Sequence, residues 1–279
     1  KHFPEAVRLR GIWLERAMEL MTIRSGSNAN CVYIKKDGYG ILIDAGVGPR
    51  ILAGALRCAG SDISRIAAIF ITHEHIDHIR GLETITNRYH IPVFANEATL
   101  YAIEARFPGI DSSVFYALPT GANAVCPDLQ VTSFKTPHDA VESEGYSVTD
   151  GRRTVSVATD LGVMTQTVLN QILTSDAVVL ESNYDTDMLV HGAYHPSLKK
   201  RILSENGHLS NDECADAAVR LLESGTKTLV LAHLSENNNM PDIAYKTTRR
   251  MLEQSGAKIG TDIALVCASR TEASERIAV

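Results

Sequence analysis

No run in this chain approaches the roughly 18 apolar residues of a membrane-spanning helix, which argues against a membrane partner. There is no surplus of positive charge either: 27 Lys and Arg against 33 Asp and Glu leave a formal charge of −6. No global field therefore draws polyanions in, and a nucleic acid would need a local cationic patch. The five cysteines, Cys31, Cys58, Cys126, Cys214 and Cys267, stand singly, without a C-x-x-C pair. That excludes a disulfide scaffold and suits reduced thiols in a cytoplasmic protein. No Gly-, Ser- or Pro-rich linker, charge block or internal repeat divides the chain. Its first 17 residues carry Lys1, Arg8, Arg10 and Arg16 but no apolar stretch, so they make a poor secretory signal. Residues 1–20 are expected to be an N-terminal extension, either a short helix or an upstream segment, with Met18 or Met21 as natural starts. Residues 21–279 are expected to be one domain.

What is present alternates between β-rich runs and helical stretches, and 44% hydrophobic residues suffice for a large core. Strands are expected at 22–24, 30–34, 40–44, 66–71, 92–95, 129–135, 146–149, 154–158, 177–181, 228–232 and 263–266. Helices are expected at 49–59, 81–89, 97–106, 165–174, 197–204, 211–223 and 242–254. Asp37-Gly38 reads as a hairpin turn, and Pro241 stands where a helix start tolerates it. The order of elements favours an α/β fold with sheets sandwiched between helix layers.

One stretch stands apart. In "IFITHEHIDHIRG", residues 69–81, His73, His75, Asp77 and His78 crowd behind an apolar strand, although the chain has only 10 histidines. Imidazoles and carboxylates are costly to bury unpaired. On an extended loop, His73 and His75 point the same way, and Asp77 and His78 follow at a turn. Nitrogen and oxygen donors of this kind suit Zn²⁺, Mn²⁺ or Fe²⁺. A pair of ions needs six to eight ligands, and three more candidates each follow a β-rich run: His138, Asp160 and His233. A lone residue of this sort is more often structural, but the joint pattern points to metal.

These residues, with "ILIDAG" at 41–46, resemble the metallo-β-lactamase superfamily over nearly the whole chain after about residue 20. The resemblance implies a four-layer αβ/βα sandwich carrying two divalent metal ions (Zn, Mn or Fe). It assigns His73, His75 and His138 to one ion, Asp77, His78 and His233 to the other, and Asp160 to both. Asp44 would orient a ligand. Water ionised between two cations would be the nucleophile for a phosphodiester, thioester, lactam or lactone.

Two further stretches narrow the substrate. "VVLESNYD" at 178–185 and "GHLSNDECADAA" at 207–218 resemble nuclease members of the superfamily, in which an acid orients a histidine at the scissile phosphate. Carried over, Asp77, Glu181 and His208 are the catalytic candidates, with Glu181 polarising His208. "SGSNANCVYI", "SLKKRI" and "LSENNNMPDIA" are similar to the bacterial YycJ/WalJ-type branch of single-strand DNA nucleases, with 5′-exonuclease action implied and RNA left open. Substrate contacts are expected from Lys199 and Lys200, and from Ser210 and Asn211 at a helix start. Gly26 and its neighbours could cup an oxyanion. The stretch from Asp160 to His233, 73 positions, is too short for the inserted clamp domain of RNA-processing relatives. A thioester or lactone hydrolase on the same scaffold is the rival reading, and a binding protein with vestigial metals a third. The native metal, the direction of digestion and the oligomeric state stay open.

Overall fold

The β-branched runs form two seven-stranded sheets in the computed structural model, which describes residues 17–279. The first sheet holds β1 (Glu19–Arg24), β2 (Cys31–Lys36), β3 (Tyr39–Ile43), β4 (Ile66–Phe70), β5 (Val93–Ala95) and β6 (Phe115–Ala117). The second holds β7 (Asn123–Cys126), β8 (Leu129–Lys135), β9 (Glu144–Thr149), β10 (Thr154–Ala158), β11 (Ala177–Glu181), β12 (Thr228–Ala232) and β13 (Ala264–Cys267). The last strand, β14 (Ile277–Ala278), returns to the first sheet and pairs antiparallel with β1. Spatial order is β14-β1-β2-β3-β4-β5-β6 in one sheet and β13-β12-β11-β10-β9-β8-β7 in the other.

Alternation along the strands builds the layers. Ile41 and Ile43 point between the sheets, where they join Phe70, Tyr146, Val157 and Val179. Leu42, between them, points outward to α1 (Pro49–Cys58), α3 (Leu82–Tyr89) and α4 (Glu97–Arg106), meeting Leu52, Ile85 and Ile103. In the second sheet Val178 and Leu180 face α5 (Gln166–Ile172), α8 (Asn211–Ser224) and α9 (Pro241–Gln254) through Val168, Leu221 and Leu252. Both faces of each sheet are covered, so the central strands read as continuous apolar runs. The four-layer αβ/βα sandwich expected from the sequence is the observed architecture.

The expected boundaries shift by a few residues, and short elements appear beside them. Short helices α2 (Ile76–Ile79), α6 (Thr186–His191) and α7 (Pro196–Ile202) flank the edge where the strands end. The domain starts earlier than 21: Met18 and Leu20 are fully buried between the sheets. Leu20 pairs with Ile277, and Val279 N–H donates to Met18 O at 2.9 Å. That contact joins the two ends of the described chain, so no local sequence pattern announces it. The rest of the expected extension, 1–16, lies outside the described residues. Between Asp160 and His233 the chain carries only α5, β11, α6, α7, α8 and β12, with no inserted domain. Among the described residues no helix is long and apolar enough to cross a membrane.

Candidate metal centre

The histidine run leaves the end of β4 and is fixed by backbone packing against the loop after β3. Asn30 N–H donates to Asp77 O at 2.8 Å, Ala45 N–H to His78 O at 2.7 Å, and Gly81 N–H to Ala45 O at 2.8 Å. Side chains have no room there. A Cβ on Gly46 would lie 1.7 Å from Asp77 O, and one on Gly81 would lie 1.8 Å from Val47 O. The glycine of "ILIDAG" thus lets the ligand loop approach. Asp44 beside it accepts from Thr72 N–H at 2.9 Å, from Thr72 Oγ1–H at 3.0 Å and from His78 Nδ1–H at 2.7 Å.

Across the cleft, single residues at strand ends complete the cluster. Asp160 follows β10, Glu181 ends β11, and His233 follows β12. Parallel register, with Ala158 opposite Leu180 and Glu181 opposite Ala232, brings the three side by side. Asp44, Asp160 and His233 all adopt left-handed backbone, with φ of 64°, 59° and 52°. Non-glycine residues held there store about 1–3 kcal/mol each, which the surrounding network must offset. At its centre is Glu181, fully buried. Its Oε1 accepts from His208 Nδ1–H and His233 Nδ1–H, both at 2.8 Å. Its Oε2 accepts from Leu161 N–H at 2.8 Å and Leu209 N–H at 3.3 Å.

Three of the imidazoles, those of His73, His138 and His233, share one pattern: Nδ1 is tied to the protein and Nε2 is left over. His138 Nδ1–H donates to Gly207 O at 2.9 Å, and His73 Nδ1–H to Thr72 Oγ1 at 3.0 Å. The Nε2 atoms of His73, His138 and His233, and Oδ2 of Asp160, are buried without a hydrogen-bond partner. Each such atom costs about 1–3 kcal/mol unless something coordinates it. Ligand atoms of His73, His75 and His138 lie within 4.8 Å of one another, as do those of Asp77, His78 and His233. Asp160 groups within the same limit both with His73 and His78 and with Glu181, His208 and His233. Orphaned buried donors in this arrangement fit divalent metal, and the tied Nδ1 atoms fix which nitrogen is offered.

The charges are correspondingly strained. Burial pushes His73 and His138 below the ordinary histidine range, so both are neutral. Burial pushes His78 down too, but Asp44, Asp160 and Asp77 outweigh it and hold the ring protonated. His233 is raised to about 10, against burial, by Asp160, Asp77 and Glu181. Burial likewise opposes the carboxylates, yet His233 and His78 hold Asp160 well below its usual range, and His208 with His233 lowers Glu181.

His75, Asp77, Asp160, His208 and His233 line an open cleft of about 490 Å³ with Ser27, Glu74, Ile76, Arg106 and Arg201. All seven expected ligands meet at or just beneath it, with Glu181 and His208 beside them. The expected substrate contacts do not reach its wall. Ser210 caps α8, its Oγ 3.2 Å from Glu213 N–H, and Asn211 is buried against Ser182 and Asn239. Lys199 and Lys200 line a separate apolar groove with Val190 and Leu203, and Lys199 Nζ donates to Val190 O at 2.7 Å. Gly26 N–H is spent on Asn30 Oδ1 at 2.9 Å rather than free for an anion. Among the described residues, the larger cavity of about 580 Å³ beside Cys58 and β14 gathers no such ligand cluster. Sequence reasoning missed Thr72, Asn30 as a brace on Asp77 Oδ2 at 3.1 Å, and Arg106. The last two carry no local signal, because only tertiary packing brings them here.

Fold and cluster together define a metal-dependent hydrolase of the metallo-β-lactamase type. The family description "Beta-lactamase superfamily domain" matches residues 39–234, and the chain belongs to that superfamily. It is 34% identical to the exodeoxyribonuclease YycJ of Bacillus anthracis, over 87% of this chain and 92% of that one. It is 33% identical to the exodeoxyribonuclease WalJ of Streptococcus pneumoniae, over 86% of this chain and 90% of that one. The metallo-beta-lactamase fold protein YhfI of Bacillus subtilis superposes with a TM-score of 0.68 at 17% identity, covering 92% of this chain and 99% of its own.

Proposed function

We propose that this chain is a dinuclear metal-dependent nuclease that hydrolyses phosphodiester bonds of single-stranded DNA, 5′-exonuclease-like, with RNA left open as a further substrate. The observation that carries the reading is the Glu181–His208 pair, joined at 2.8 Å and set directly beside the ligand cluster. The identity to two exodeoxyribonucleases over most of the chain supports it. The five unpaired cysteines suit the cytoplasm.

His73, His75 and His138 would hold one cation, Asp77, His78 and His233 the second, with Asp160 shared; the nitrogen and oxygen donors accept Zn²⁺, Mn²⁺ or Fe²⁺. Such cations supply Lewis acidity toward a phosphoryl oxygen and ionise water near neutral pH. The protein's own part is positional and protonic. Glu181 is a positioning residue: its ionised Oε1 fixes Nδ1–H on His208, so the free Nε2 is turned toward the cleft. In the imidazolium form of the ring, Nε2–H protonates the departing oxygen or donates to the charge developing on phosphate, leaving the neutral ring with its Nδ1–H on Glu181. Asp77 lines the cleft, where its carboxylate would hold a cation against the reacting phosphate. The 19% exposure of the His208 side chain, against 2% for His233, supports a role for the first ring at the substrate and for the second at a cation.

The test is His208→Ala. Hydrolysis of bis-p-nitrophenyl phosphate and of an end-labelled single strand should fall by about 10²–10⁴, with metal content retained by elemental analysis. Products of the wild-type protein should leave stepwise from the 5′ end. Activity untouched by the substitution, or wild-type turnover confined to thioesters and lactones, would overturn the reading.

A further inference from the structure

Cations held by Asp77 and Asp160 would serve the phosphate being cut, but the phosphates of a strand beyond it need positive charge from the protein itself. Glu74, Asp77 and Asp160 line the cleft, and the whole chain carries −6. Among the described residues lining it, only Arg106 and Arg201 bring permanent positive charge.

We propose that Arg106 and Arg201, which line the same cleft as the ligand cluster, form a clamp for the non-scissile phosphates of a polynucleotide. The clamp rests on the nuclease reading and names what that site requires: a strand with phosphates beyond the one being cut. The two arginines come from different halves of the molecule. Arg106 is the last residue of α4, whose N-terminus is tied down by Asn96 Nδ2–H donating to Glu142 O at 2.8 Å. It is exposed and has no hydrogen-bond or ion-pair partner among the described residues. An unpaired guanidinium facing an acidic cleft is a long arm with five donors for a phosphate.

Arg201 is held differently. Its Nε–H and Nη2–H donate to the two carboxylate oxygens of Asp139, the second at 3.0 Å. Asp139 stands next to His138, whose Nδ1–H is tied to Gly207 O, and His208 N–H donates to Ile202 O at 3.1 Å. Gly207 packs so closely that a Cβ there would meet Arg201 O at 2.4 Å. Arg201, the ligand His138 and the proton donor His208 are therefore one packed unit. The guanidinium is preoriented at the cleft that His208 also lines, with its remaining N–H groups free of Asp139. Lys200, one residue away on α7, points to the other groove.

The experiment uses metal-loaded full-length protein and two substrates: a labelled single-stranded oligonucleotide, and bis-p-nitrophenyl phosphate, which carries one phosphate. For Arg106→Ala the ratio of kcat/KM on oligonucleotide to that on the diester should fall about tenfold or more, mainly through KM. The slope of log KM against log salt should flatten by about 0.7 per lost contact on a single strand. Arg201→Lys, which keeps the charge against Asp139 but loses the fork, should lower the ratio less, with metal content unchanged. An Arg106→Ala ratio within twofold of wild type removes the clamp alone. Wild-type protein that hydrolyses the diester and leaves every oligonucleotide intact removes the nuclease reading and the clamp together.

Discussion

The two halves of the metal centre solve the same problem by different means. In the first, four candidate ligands lie within six consecutive residues, and backbone hydrogen bonds to the 44–47 loop lock that loop in place. In the second, Asp160, Glu181 and His233 are scattered over the chain and assembled by the register of three parallel strands, and His208 joins them from the loop before α8 through its bond to Glu181. Each half then buries one carboxylate to hold imidazole Nδ1 atoms. Asp44 holds one ring, whereas Glu181 holds two rings and two backbone amides. A compact ligand run tolerates the loss of one brace, because covalent proximity keeps its members together. A dispersed set depends on its hub.

The largest effect should come from breaking that hub. Glu181→Gln keeps the shape but places an amide NH₂ against donors that all need an acceptor, at a fully buried position. Breaking a buried charged network of this kind costs about 3–5 kcal/mol, and misorienting His208 removes its proton transfer, about 10²–10⁴ in rate. Urea unfolding should show the first loss, and diester hydrolysis at saturating metal the second. Activity within threefold of wild type would show that the second half does not depend on Glu181.

Asp44→Asn attacks the corresponding brace of the first half and should do less. The substituted amide retains one oxygen for the Thr72 N–H, and only His78 loses its carboxylate partner. Loss of an outer partner of a ligating histidine typically weakens metal binding about 10–100-fold. Excess Mn²⁺ should therefore restore turnover in Asp44→Asn, while Glu181→Gln stays slow at any metal concentration. If both variants are rescued alike, or neither is, the contrast between the halves is false.

The same contrast explains what was legible beforehand. The central strands could be read because burial on both faces leaves them apolar throughout, as in Ala177–Glu181 and Thr228–Ala232. Phe115–Ala117, Asn123–Cys126 and Ile277–Ala278 could not: they are short edge or near-edge strands, partly exposed, with too few residues to show a period. The contiguous ligand run announced itself by spacing, whereas His138, Asp160 and His233 gained weight only as a set. The basic contacts were misplaced by helix geometry. On α7 successive residues turn by about 100°, so Lys199 and Lys200 face the apolar groove while Arg201 faces the metal cleft. Three adjacent charges in sequence carry no phase until the helix is docked. Ser210 and Asn211 fell to a similar ambiguity: a helix start beside phosphate chemistry and a capping box look alike in sequence, and the side chains here serve the cap and the interior.

The smallest effect separates the two proposed cation sites by their protons. His73 and His138 are neutral because burial disfavours their charge, so a cation reaching them displaces no proton. His78 and His233 are held protonated by the carboxylates around them, His233 up to about 10. A raised value stabilises the metal-free fold fully below the ordinary histidine range, near pH 6.5, and that contribution is lost as pH rises through about 10. A cation at Nε2 excludes the proton there, so binding at the second site competes with this stabilisation and gains as pH rises. Chelator-stripped protein titrated with Mn²⁺ should take up one equivalent with an affinity nearly constant between about pH 7 and 8.5. The other equivalent should tighten by about tenfold per pH unit for each proton displaced. Calorimetry in two buffers of different ionisation enthalpy counts those protons directly. Equal pH slopes for both equivalents would mean that the charge asymmetry between His73 and His78, whose rings sit only 4.1 Å apart, does not govern metal loading.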